Sequence, residues 1–101
     1  MSKPKAISDR TWQGQQSWNR EVIESIDKSK VRMTVKVDAY DFQSYAKAEL
    51  WKESGWVQVH KIPGQQLRTM KLISYVARDV RPAAFQGDID ELRRVAMEVI
   101  S

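Results

Sequence analysis

The run VRMTVKV, residues 31–37, limits this chain more than any other stretch. Val31, Met33, Val35 and Val37 alternate without a break with Arg32, Thr34 and Lys36. A period of two sends successive side chains to opposite faces of a strand, so the run demands a sheet with one buried face and one polar face. Asp38-Ala39-Tyr40-Asp41 then breaks the pattern with turn-forming residues. A second strand is expected from Ser44 to Trp51 and a third from Trp56 to Ile62, stopped by Pro63-Gly64.

Alternation also sets the register of the second and third strands. Ala46, Ala48 and Leu50 form an apolar set, and Tyr45, Lys47, Glu49 and Trp51 a mixed one. In the third strand Val57 and Val59 are apolar, while Trp56, Gln58 and His60 are mixed. The sets match when Trp51 pairs with Trp56, Leu50 opposes Val57 and Ala48 opposes Val59. Lys52-Glu53-Ser54-Gly55 then becomes a four-residue loop on a type I turn, with Gly55 at positive φ. A slip of one residue would turn Lys52 toward the core, so the register is strongly specified.

Helical spacing accounts for most of the rest. Trp18, Val22 and Ile26 recur every four residues, widened by Ile23, which predicts a helix over Gln15 to Lys28. Residues 1–7 read as a loose tail. Leu67, Met70, Ile73, Ala77 and Val80 fit one helix face, and a helix over 65–80 is favoured over a strand at LISYV. Asp88 and Glu91 have capping-box spacing before the stripe Ile89, Leu92, Val95, Ala96, Val99 and Ile100. The expectation is one α+β domain over residues 1–101: a three-stranded antiparallel meander with two to three helices packed on its Val31/Val35/Leu50/Val57/Val59 face.

Several chemistries lack their residues. The 101-residue chain has no cysteine, which removes disulfides, thiol nucleophiles and Cys-based metal sites. His60 is the one histidine, with no HExxH-type spacing and no GxSxG elbow elsewhere. Gly14, Gly55, Gly64 and Gly87 stand singly, so no phosphate-binding loop is legible. Asp88, Asp90 and Glu91 cluster at a helix start, where carboxylates complement the dipole. Asp38 and Asp41 read as turn formers. No catalytic residue, cofactor or metal ligand is assigned, and a non-enzymatic protein is expected. The N-terminus lacks the apolar run of a signal peptide, and no stretch reaches the ~20 apolar residues of a membrane span. A cytoplasmic location without membrane contact is therefore expected.

The surviving functional clue is a surface. If the sheet is a meander, its polar face presents Arg32, Lys36, Tyr45, Lys47, Trp51, Trp56 and His60. A cross-strand tryptophan pair stabilises a hairpin, and that role by itself explains the two rings. Trp12, Trp18 or the 65–80 segment could also fold over them. The competing reading is a binding face. Cations interleaved with aromatic rings suit stacked bases. Trp, Tyr and Arg also dominate protein hot spots. The net charge of +4 is modest. A basic run of Lys61, Arg68, Lys71, Arg78 and Arg81 against Asp79 is either a solvated surface or a contact for an acidic partner such as nucleic acid.

Two resemblances add to this. The order helix, three strands, helix is similar to the double-stranded-RNA-binding domain. The start of its last helix departs from that family: GDIDELRR is acidic where a Lys-rich cluster contacts phosphates. Residues 37–63, VDAYDFQSYAKAELWKESGWVQVHKIP, resemble small uncharacterised accessory proteins of actinobacteria-infecting phages, which pair a Tyr-Asp-x-Gln-Ser-Tyr-Ala stretch with a Trp-containing hairpin. The resemblance implies an accessory role in the host cytoplasm and assigns no site residues. The expected function is binding to a host or phage protein, or self-association, with nucleic-acid binding as the alternative.

Overall fold

A computed structural model describes residues 3–14, 17–38, 44–69 and 82–100. Five strands run in sequence order as one antiparallel meander: β1 (Lys5–Gln13), β2 (Ser17–Ile26), β3 (Ser29–Asp38), β4 (Tyr45–Lys52) and β5 (Gly55–Pro63). Single 3-10 turns follow at Gly64–Gln66 and Pro82–Phe85, and the second leads into the helix α1 (Gln86–Ile100). The expected three-stranded sheet with two to three helices is thus corrected to five strands and one described C-terminal helix. Of the expected helix over 65–80, residues 65 and 66 belong to the turn at Gly64–Gln66, Arg68 and Thr69 are helical, and residues 70–80 lie outside the described ones.

β2 replaces the helix expected over Gln15 to Lys28, and the reason is arithmetic. Trp18, Val22 and Ile26 are four apart, a spacing that also keeps one face of a strand. Between them sit Arg20 and Glu24, which broke the alternation by charge. Both are buried on the same face, because each has a partner. Arg20 makes a forked contact with Asp9 of β1, at 3.0 and 2.8 Å, and donates to the Pro82 carbonyl and the Gln86 side chain. Glu24 receives a forked pair from Arg93 of α1, at 2.7 and 2.9 Å. Buried charge is tolerated when it is paired and hydrogen-bonded in this way.

The β2–β3 turn hid itself as well. Ile26 pairs with Ser29, leaving Asp27 and Lys28 as a two-residue loop with φ of 49° and 70°. Positive φ at both positions is the mark of a type I′ turn, which usually carries glycine. β1 takes the last three residues of what read as a tail and the unassigned stretch after it, up to Gln13. It needs no apolar pattern because it is exposed on both faces, apart from a half-buried Thr11.

α1 lies over β3 and β4. Ala46 and Ala48 leave room there for its Ile89, Leu92 and Ala96, and Val31, Met33, Val35 and Leu50 complete the layer. Phe85 and Leu67 are buried in the same cluster, and Trp18, Val59, Met97 and Ile100 pack against it. Val57 and Val99, expected in the core, are 45% and 48% exposed. Asp88 is not the N-cap. It lies in the first turn, buried, and its carboxylate accepts the backbone N–H groups of Arg68 and Thr69 and the Thr69 hydroxyl. The helix start is thereby tied to the segment leaving β5.

Candidate interaction face

The tryptophan register is as the alternation requires: Trp51 pairs with Trp56 and Leu50 with Val57. The loop differs. Lys52 pairs with Gly55, so the turn is the two residues Glu53-Ser54, and Glu53, not Gly55, takes positive φ at 53°. Positive φ at the first of two loop residues is the pattern of a type II′ turn.

Further along β5 the register shifts, between Ala48 and Glu49 on the β4 side. Gln58 opposes Glu49 and His60 opposes Ala48, so Val59 is the extra residue of a β-bulge. The expected pairing of Ala48 with Val59 fails for this reason. His60 consequently leaves the tryptophan face and joins the helix side. Its charge is there the last of several influences that hold the Glu91 carboxyl below its ordinary pKa, the first being the hydrogen bond from Arg94. Lys61 moves the other way and stands opposite Lys47.

Arg32, Lys36, Tyr45, Lys47, Trp51 and Trp56 do share one face, the one turned away from α1. The two indoles meet edge to face with centroids 5.3 Å apart. The Arg32 guanidinium lies 4.5 Å from the Trp56 ring centroid and donates to Glu49 at 2.9 Å. That bond, first among its causes, raises the Arg32 pKa above its ordinary value. Lys47 and Lys61 both lie near the Tyr45 ring, at 5.7 and 5.6 Å, and Lys47 stands 3.8 Å from Glu49. Stacked cations and crossed rings of this kind order a surface without covering it.

β1 and β2 widen the face with residues that sequence reasoning missed. Trp12 pairs with Asn19 and Arg10 with Glu21, on the same side as Arg32 and Lys36. Arg10 lies 4.7 Å from the Trp12 ring and 3.3 Å from Glu21. The signal was the two-residue spacing of Arg10 and Trp12, legible once β1 is known to be a strand. Trp18 is on the other face, half-buried against the core, and does not cover the indole pair. Trp51 is 45% exposed and Trp12 40%.

The face is basic, with Arg10, Lys30, Arg32, Lys36, Lys47 and Lys61 against Glu21 and Glu49. α1 has the opposite balance, with Asp88, Asp90, Glu91 and Glu98 against Arg93 and Arg94. Among the described residues, no group of three or more His, Asp or Glu side chains could hold a metal ion, and no helix is long and apolar enough to cross a membrane. Compared with protein-family models, curated proteins and solved structures, the chain matches none.

Proposed function

We propose that this protein is a non-enzymatic binding module of the phage accessory kind, which grips a host or phage protein through the open face of its sheet in the host cytoplasm. The observation that carries this reading is the Trp51–Trp56 pair, crossed by Arg32 on the face away from α1, with one indole 45% exposed. A rigid aromatic pair beside a guanidinium is the composition of a protein hot spot. Its geometry is held in advance by the hairpin, so little side-chain freedom is lost on contact.

A nucleic-acid reading is favoured by the basic balance of the face and by the Tyr45 ring with Lys47 and Lys61 beside it. The ion pairs weigh against it. Arg10, Arg32 and Lys47 already face Glu21 or Glu49, and those carboxylates would repel phosphates brought near them.

Replacing Trp51 and Trp56 together by Thr separates these readings. The variant keeps strand propensity and stays folded, losing about 0.5–1 kcal/mol with the cross-strand pair. It fails to capture from an actinobacterial host extract the proteins that the wild type retains. Capture that is unchanged in a folded variant would overturn the proposal. Binding to mixed DNA and RNA that collapses steeply with added salt would put nucleic acid in its place.

A further inference from the structure

β1 is the least covered strand of the sheet and its outer edge is free among the described residues. It pairs with β2 on one side and with no described strand on the other. Eight of its nine residues are exposed, including Ile7 at 51% and Trp12 at 40%. Edge strands expose a row of unmet backbone donors and acceptors, which proteins usually blunt with charge, bulges or a covering element. Here an irregularity between Ala6 and Ser8 interrupts the N-terminal part, and the regular part from Ser8 to Gln13 stays open.

We infer that this edge pairs antiparallel with β1 of a second copy, in a twofold register centred on Thr11. The register follows from two constraints. A twofold axis through a continuous sheet keeps each face on its own side, so a residue must oppose one an even number of places away. Centred on Asp9 or on Arg10, the pairing would set two like charges face to face, which is unfavourable. Centred on Trp12, it would run out of strand within one residue at Gln13. Centred on Thr11, Arg10 opposes Trp12 of the second copy, twice over, and Asp9 opposes Gln13, also twice. Arg10 already lies 4.7 Å from its own Trp12 ring, so the guanidinium is placed between two indoles. The second copy thereby adds its Trp12 to the open face, and the two basic faces join into one surface across ten strands.

A contact this short sits at the small end of interface sizes, and the dimer is accordingly weak and concentration-dependent. It is separate from the Trp51–Trp56 contact and survives the loss of those rings.

The chain has no cysteine, so cross-linking through an introduced one is unambiguous. At Thr11→Cys the two introduced residues face each other across the axis, with Cα atoms about 4.5–5.5 Å apart, inside disulfide range. At Ser8→Cys they are six residues apart along the strands, roughly 20 Å. Mild oxidation links Thr11→Cys into dimers about tenfold faster than Ser8→Cys or more, as the difference in reach requires. The sedimentation-derived mass of the wild type rises toward twice the monomer with concentration, and that of Trp12→Thr does not. A wild type that stays monomeric into the submillimolar range would overturn the pairing. Equal cross-linking of the two cysteine variants would overturn the register.

Discussion

Arg20 commits its whole guanidinium to the interior. It holds Asp9 of β1 through both carboxylate oxygens and reaches the Pro82 carbonyl and the Gln86 side chain at the start of α1. One side chain on β2 therefore fastens the edge strand and the helix entrance together. The Arg20 hydrogen bond is the main cause that holds the Asp9 pKa below its ordinary value, with burial opposing it. A carboxylate with a lowered folded pKa contributes stability above the ordinary value near pH 4 and loses it as the pH falls through the lowered one. Asp9 keeps 47% of its side chain exposed, so solvent screening limits the contribution to about 1 kcal/mol or less. The stability difference between wild type and Asp9→Asn should stay constant above about pH 5 and close on further acidification. Chemical denaturation at a series of pH values measures it, and a gap independent of pH would assign the effect to something other than ionisation.

At the scale of elements, the hairpin turns carry backbone strain that the sequence disguises. Lys28 adopts φ of 70° at the second position of the β2–β3 turn, where glycine is favoured. Lys28→Gly should raise stability by about 0.5–1 kcal/mol, the left-handed penalty relieved less the chain entropy added. Equilibrium denaturation of the single variant checks this, and a loss of stability would mean that the lysine side chain has a role outweighing its backbone cost. The same disguise explains which elements were legible. β3, β4, β5 and α1 announced themselves because each has an apolar face of the right period. β2 did not, because Arg20 and Glu24 occupy core-facing positions and left a four-residue spacing common to helix and strand. β1 did not, because an edge strand exposed on both faces has no pattern to show.

For the whole molecule, the helix covers one side of the sheet and charge divides accordingly, with the acidic balance on α1 and the basic one on the opposite face. The extents of 41 × 22 × 22 Å are those of an elongated body, with β1 at one edge of its sheet. Stability rests on a single layer between β2–β5 and α1, with Val35 wholly buried on the central strand. Val35→Asp places an unpaired charge in that layer, costing several kcal/mol, a large part of what a domain this size has. The variant should lose its cooperative thermal transition in circular dichroism. A melting curve like that of the wild type would mean that the layer tolerates a charge at its centre.

The sequence by itself determined the alternating strand at residues 31–37, the Trp51–Trp56 pairing and the C-terminal helix. In each of these the local period of apolar residues picks out the element and its core-facing side, although Val57 and Val99 stay exposed, so no distant contact has to be known. Six of the seven residues placed on the candidate face are there for the same reason. Tertiary structure alone decided the rest. Arg20 and Glu24 became strand residues facing inward because Asp9, Pro82, Gln86 and Arg93, far away in sequence, satisfy their charge. His60 and Lys61 exchanged faces because one extra residue, Val59, is accommodated as a bulge against β4. A buried charge or a bulge is stable only when its partner is in place, and a period counted along one segment carries no information about that partner.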